Sequence, residues 1–382
     1  MLFKKGRKDF LYASSILIGT IVGVGIFGIP FSFAKAGFLA GFLFLVFVGA
    51  VSLIINLIFG EVVLRTKELH QFTGYTKIYL GQGVKKMAAF AWFAGIYGAL
   101  LAYIIISGSF LFNIFVSWFY TAPAFYSTLF FIFVSLAVLA GLRAVAWFEF
   151  FMVAFFTVIV FLIFIFGIPK IDLSNLAMLS TSEFWFLPYG ILLFAYAGFS
   201  AIPLQRELLK DHPGILKKSI LWGSLIPALL YFVFTLAVVG ISGETTSPDV
   251  VSGLAEFLDY RIIFLISFFG LLTITTSFMA LASVLIETFR LDYGFKKFKA
   301  WALAVFIPFI LFWFGVRNFI EVISLAGSVA IGIEGVVLVF MYKAAKKGGN
   351  REPEYSLNLP AWILNGIMIL FALGAAYAIF FE

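Results

Sequence analysis

The sequence contains no cysteine and only two histidines, His70 and His212, both in polar stretches. The first absence excludes disulfides and thiolate metal sites. The second leaves the long apolar runs without the parts for Ser–His or Cys–His chemistry or a histidine-built metal centre. No aspartate lies within those runs, so a paired-aspartate site is excluded as well. Charge is also scarce, at 12% of residues, where a soluble domain carries about 25%. In its place the chain is 63% hydrophobic and carries 52 phenylalanines. Such a composition defines an integral membrane protein whose obligatory partner is the lipid bilayer, and no other protein partner is indicated.

A span needs about 20 apolar residues. On that measure eleven runs qualify: 11–37, 38–64, 87–119, 124–142, 147–168, 185–205, 218–241, 261–289, 299–316, 318–342 and 360–381. No soluble domain fits between them, and the longest loops are 65–86 and 242–260. The start, MLFKKGRKDF, followed by an apolar run and AKA at 34–36, has the look of a signal peptide. Signal h-regions are only about 7–15 residues long, so residues 1–10 are expected to remain as a cytoplasmic N-terminus. Of the 26 Lys and Arg residues, only Lys35, Lys170, Arg261 and Arg317 fall on the side opposite that N-terminus. Positive residues gather on the cytoplasmic side. The expected topology is a multi-pass protein of the cell (plasma or inner) membrane, N-terminus inside and C-terminus outside. The net charge of +7 is thereby explained as topology, not nucleic-acid binding. In the 242–260 loop, Ser247-Pro248-Asp249 predicts the start of a small external helix. It reads either as a solvated loop helix or as a lid over an external vestibule.

The first run holds GVGIFGIP at 23–30, three glycines within six residues followed by Pro30. These residues break helices. GFSAIP at 198–203 repeats the pattern of GIFGIP at 25–30, at an offset of 173 residues. The copies lie in spans 1 and 6, five spans apart, so the second unit enters the membrane from the opposite side. That predicts an all-α fold of five plus five inverted-repeat spans (11–168 and 185–343), with an eleventh span at 360–381 and spans 1 and 6 broken mid-membrane. Paired breaks at corresponding positions are the best sequence pointer to a transporter's binding site.

Unwinding a helix in lipid strands backbone N–H and C=O groups at several kcal/mol each, so other protein, water or a ligand must satisfy them. Half-helix N-termini suit a carboxylate, and free carbonyls suit an ammonium group or Na⁺. A molecule carrying both groups side by side is an amino acid. The competing use of such glycines is close helix packing, since Gly19 and Gly23 form a GxxxG pair.

GTIVGVGIFGIPFSFAKAG (19–37) resembles span 1 of amino acid permeases of the amino acid–polyamine–organocation superfamily. ILLFAYAGFSAIPLQREL (191–208) resembles span 6 of its amino acid/auxin permease branch. EVVLRTKELHQFTGYTKIYLG (61–81) and TSFMALASVLIETFRLDYG (276–294) are similar to the hydroxy and aromatic amino acid permease branch. The resemblance implies the LeuT-type fold, in which a bundle of spans 1, 2, 6 and 7 rocks against a scaffold of spans 3, 4, 8 and 9. It places a substrate carboxylate at the amides around Gly23, Val24, Gly25 and Ile26. It places the ammonium at carbonyls of Ile21, Phe194, Ala195 and Tyr196. Tyr196, Gly198 and Phe199 would shape the side-chain pocket, with Tyr97 or Tyr103 opposite. It also places a Na⁺ at Gly19 and Val22 of span 1 with Thr273, Thr276 and Ser277 of span 8, an oxygen set suited to a hard cation. The hydroxyls have a competing use in bonding back to their own helix.

Span 5 carries no lysine of the kind that replaces this ion in proton-coupled relatives, which leans toward Na⁺. Glu334 lies within ~6 Å of mid-depth in span 10 and is the candidate for proton coupling. Glu61, Glu149, Glu207 and Glu287 stand near Arg65, Arg143, Arg206 and Arg290 and read as gate or anchor pairs. The expectation is a cation-coupled symporter for neutral or aromatic amino acids that needs no cofactor beyond its Na⁺ or H⁺. A channel would need a sustained polar stripe, which no span has. A sensor that binds without transporting is the alternative of another class.

Overall fold

The computed structural model describes residues 2–116, 118–140, 145–177 and 184–381. All regular structure among them is helical. Span 1 is two helices, α1 (Leu2–Ile21) and α2 (Gly25–Ala36), bent by 48° across Val22–Val24. Then follow α3 (Phe38–Leu64), α4 (Phe72–Phe115), α5 (Pro123–Ala140) and α6 (Val145–Gly167). Span 6 is again divided, into α7 (Leu187–Ala195) and α8 (Ile202–Leu208), with a 3₁₀ turn at Phe199–Ala201 between them. The remainder comprises α9 (Leu216–Ser242), α10 (Val251–Leu254), α11 (Tyr260–Glu287), α12 (Lys297–Trp313), α13 (Phe319–Leu325), α14 (Gly332–Gly348) and α15 (Ala361–Phe381). A π-helical segment, Ala326–Ile331, joins α13 to α14.

Each of the eleven apolar runs coincides with a helix or a helix pair. Among the described residues eight helices are long and apolar enough to cross a membrane, and α1–α2 makes a ninth. The runs at 124–142 and 299–316 give the shorter α5 and α12, of 18 and 17 residues. Their rise of roughly 26 Å compares with a hydrocarbon core of about 30 Å.

The helices sort into two groups. The broken helices pack on α3 and α9: α1 and α2 on α9, α2 on α7, and α3 on α7, α8 and α9. The second group is built around α4, which packs on α5, α11 and α12. The π segment and α14 lie between the groups, against both α4 and α7 or α3. One end of the molecule collects the N-terminal residues and most of the basic loops. There Asp9 meets His212 at 3.3 Å, and Arg206 donates to the Thr66 carbonyl at 2.6 Å. Thr73 donates to Asp292, and Arg351 donates to the Leu64 carbonyl at 2.7 Å. This is called the basic end below.

Two loop expectations need correction. The stretch 65–86 is not a loop beyond about Gln71. Residues 72–80 form a helix that turns into span 3 at Gly81, whose φ of 81° and ψ of 179° fall where only glycine sits without strain. In the 242–260 loop the helix is a single turn, Val251–Leu254, and Pro248 lies outside it. Ser247 and Asp249 still act as its cap: Asp249 accepts from the Ser252 N–H at 3.1 Å, and Ser247 Oγ accepts from the Gly253 N–H at 2.8 Å.

Candidate functional site

The two breaks face one another. A Cβ placed on Gly25 would lie 2.7 Å from Ala195 Cα, and one on Gly198 would lie 2.6 Å from Ile21 Cγ1. Through the 173-residue offset each contact maps onto the other to within one residue, as an inverted repeat requires. Gly25 therefore has a reason beyond flexibility, because the opposite backbone occupies the space a side chain would need. Within the first break the Gly23 N–H turns onto the Ile21 carbonyl at 2.7 Å, and the Phe27 N–H onto Val24 at 3.1 Å. The N–H groups of Gly25 and Ile26 open helix α2, and the first N–H groups of a helix have no partner inside it.

Tyr231 of α9, which the sequence reading missed, ties the breaks together. Its hydroxyl lies 2.6 Å from the Ile21 carbonyl and 2.8 Å from the Ala195 carbonyl. Both carbonyls were expected to serve a substrate ammonium. The phenol has a single hydrogen to share between them, and the Ile21 carbonyl also accepts from the Gly23 N–H.

Beside the breaks, toward the basic end, lies a cavity of about 50 Å³, room for a few water molecules. Gly23, Val24, Gly25, Phe194 and Ala195 contribute from the breaks, and Phe199 and Ser200 from the turn below. Tyr103 stands opposite, its hydroxyl 2.7 Å from where a Gly23 Cβ would be. Gly95 and Ala99 on the same face of α4, Ile331 of the π segment and Glu334 of α14 also line the cavity, as do Thr20 and Ile21 of α1.

The remaining predicted residues sit elsewhere. Tyr97 is turned away, its hydroxyl donating to the Leu303 carbonyl of α12 at 3.0 Å. The Tyr196 side chain points behind the break into a separate cavity of about 10 Å³, and its hydroxyl has no partner there. Gly198 packs on Leu17 and Ile21, and neither it nor Ile26 is part of the cavity wall.

Aromatic clusters flank the cavity on both sides. Phe27 lies on the far side, its ring centroid 4.8 Å from Phe110 and 5.9 Å from Phe234. Toward the basic end Phe199 packs among Phe59, Phe72 and Trp92. Below that plug Arg206 donates to the carbonyls of Thr66, Lys67 and Glu68. The anticipated pairing of Arg206 with Glu207 is therefore replaced by a clasp on backbone. Glu61–Arg65 and Glu287–Arg290 do pair, at 2.8 and 2.9 Å. Arg143 and the Glu149 side chain lie outside the described residues.

Of the expected cation ligands, Ser277 and Gly19 meet across the helices, while the Thr276 hydroxyl makes the competing bond to its own helix. Ser277 Oγ donates to the Gly19 carbonyl at 3.3 Å, joining α11 to α1 just before the break. Thr276 Oγ turns back to the Thr273 carbonyl at 2.9 Å, and the Val22 N–H caps the end of α1 on Ile18 at 2.6 Å. These neutral oxygens suit a hard monovalent ion. Among the described residues no cluster of three or more His, Asp or Glu groups offers a site for a transition metal.

Paired broken helices, a bundle packed on an α4-centred frame and a cavity at the breaks define a transporter of the LeuT-type fold. The solved structure of MhsT in complex with L-phenylalanine superposes with a TM-score of 0.71, covering 97% of this chain and 98% of that one at 16% identity. Residues 6–379 match the tryptophan/tyrosine permease family, and the chain belongs to it. A curated relative, glutamine transporter 2 of Aliivibrio fischeri, is 22% identical over 362 residues, spanning 91% of this chain and 92% of its own length. The protein is an amino acid transporter, not an enzyme.

Proposed function

We propose that the protein is a Na⁺-coupled symporter of neutral or aromatic amino acids, working by alternating access with its basic end in the cytoplasm. The observation that carries the Na⁺ assignment is the approach of Ser277 Oγ to the Gly19 carbonyl at the span 1 break. An ion held there is sensed directly by the substrate-binding backbone two to seven residues further on. In this reading the amides of Val24, Gly25 and Ile26 hold the substrate carboxylate. The break carbonyls, including Phe194 and Tyr196, receive its ammonium, and the cavity wall receives its side chain. The family's tryptophan and tyrosine, and the glutamine of the Aliivibrio fischeri relative, are all neutral amino acids.

Proton coupling is the second reading. It is favoured by Glu334, a carboxyl 2% exposed that lines the cavity. Uptake by purified protein in liposomes separates the two readings, with a labelled amino-acid panel under an imposed Na⁺ gradient or an imposed proton gradient. Na⁺-only accumulation is expected, together with a Ser277→Ala variant whose half-saturating Na⁺ rises at least tenfold. Proton-only accumulation overturns the Na⁺ assignment. Binding without accumulation under either gradient identifies a sensor or an exchanger.

A further inference from the structure

Glu334 is the one carboxyl in the cavity wall, and it has no hydrogen-bond partner among the described residues. An unpartnered carboxyl in an apolar setting costs several kcal/mol whether it is charged or neutral, and such a group is retained only where something else satisfies it. The polar side chains that share the cavity wall with it are those of Thr20, Trp92, Tyr103 and Ser200. One carboxyl oxygen lies 3.4 Å from where a Gly95 Cβ would stand, and Ile96, Ala99, Leu281 and Ile331 are apolar. The wide π turn Ala326–Ile331 ends three residues before Glu334, and π turns recur where a helix re-aims a functional side chain.

The separation from the breaks has the length of a side chain. Gly95 and Tyr103 share one face of α4 eight residues apart, about 12 Å of rise. Helical side chains lean toward the N-terminus, so the Tyr103 hydroxyl beside Gly23 sits part of the way down that distance. An amino acid held by its carboxylate and ammonium at the breaks thus reaches Glu334 only with the end of a long side chain.

We propose that Glu334 is a specificity-determining residue that accepts a hydrogen bond from the substrate's side chain, selecting neutral amino acids that end in a donor. These are a carboxamide, an indole N–H or a phenol, and they are selected over apolar side chains of the same size. This rests on the substrate orientation proposed above. Glycine at position 95 and alanine at position 99 leave the room, and Glu334 is the one carboxyl acceptor in the wall. A site built to accept a donor discriminates strongly against an analogue lacking it, because its own polar group is then left unpaired.

The test is equilibrium binding to purified protein in nanodiscs with two near-isosteric pairs, tyrosine against phenylalanine and glutamine against methionine. Wild-type protein is expected to prefer the donor-bearing member of each pair by at least tenfold. Glu334→Leu is expected to weaken tyrosine and glutamine by at least tenfold while strengthening phenylalanine and methionine. A defect in folding lowers all four affinities together and cannot produce opposite signs. Glu334→Gln, which keeps a carbonyl acceptor but cannot carry a proton, is expected to retain the donor preference within a few-fold. Equal affinity within each pair for wild-type protein overturns the proposal. So does a donor preference that survives in Glu334→Leu. Failure of all four amino acids to bind wild-type protein instead removes the substrate orientation on which the proposal stands.

Discussion

At the scale of single residues, Gly25 and Tyr231 make the sharpest demands. Alanine at position 25 would put its Cβ 2.7 Å from the Ala195 backbone, closer than packed carbon atoms come, so one half-helix must move. Gly25→Ala is expected to lower substrate affinity at least a hundredfold, read by equilibrium binding. Gly214→Ala, where a Cβ meets nothing within 4 Å, serves as the neutral comparison. Tyr231→Phe removes the one hydroxyl shared by the Ile21 and Ala195 carbonyls in a buried place, a loss of about 1–3 kcal/mol. A thermal unfolding scan in detergent is expected to show that loss directly. The glycine was legible in the sequence because a break inside an apolar run is a local signal. The tyrosine was not, since nothing in ILWGSLIPALLYFVF says that one hydroxyl in it reaches two carbonyls 210 and 36 residues away. The choice between Tyr97 and Tyr103 was within reach. Six residues of helix amount to about 240° of rotation beyond a full turn, so only one could face the breaks, and Gly95, Ala99 and Tyr103 at spacings of four mark which face that is.

At the scale of elements, the connection between α14 and α15 is the part the sequence concealed. Residues 349–360 have no periodicity and read as a plain loop. In the structure they strap the basic end of α3. The Leu357 N–H donates to Glu61 Oε2 at 2.6 Å, and Ser356 Oγ to Glu61 Oε1 at 3.1 Å. Tyr355 donates to the Leu57 carbonyl at 2.7 Å, and its hydroxyl occupies the space above Gly60. Glu61 is 0% exposed and is also paired with Arg65. Its carboxylate is thus the hub that fastens the α14–α15 connection onto a helix of the bundle. Hydrogen bonds to a charged group contribute about 1.5–3 kcal/mol each. Glu61→Gln is expected to change the uptake rate several-fold while equilibrium substrate affinity stays within about twofold, because the strap resists movement of α3 and lies away from the cavity. Comparing initial uptake rates with binding isotherms checks this.

At the scale of the whole molecule, aromatic clusters flank the cavity on both sides, Phe27 with Phe110 and Phe234 on one and the Phe199 cluster with the Arg206 clasp on the other. Alternating access requires one seal to open at a time. Arg206→Ala removes donors to three backbone carbonyls and is expected to favour opening toward the basic end. The chain has no cysteine of its own, so Ser200→Cys in the cavity wall can be labelled with a membrane-impermeant maleimide without background. Labelling from the basic side is expected to rise several-fold when Arg206→Ala is added and to fall when substrate and Na⁺ are present. Labelling unchanged by either treatment would mean that Arg206 is not a gate.

The meeting of the two breaks carries a consequence for how such a protein diversifies. Under the proposed orientation, the part of a substrate common to all amino acids is read by main-chain amides and carbonyls, and every residue type carries these. Drift in the gene leaves them in place as long as the helices still break at the same point. Only the wall facing the variable part of the substrate is written in side chains. A lineage can therefore lose most of its sequence identity and keep its grip on the generic molecule. The diet then changes through a few positions such as Gly95, Ala99 and Glu334.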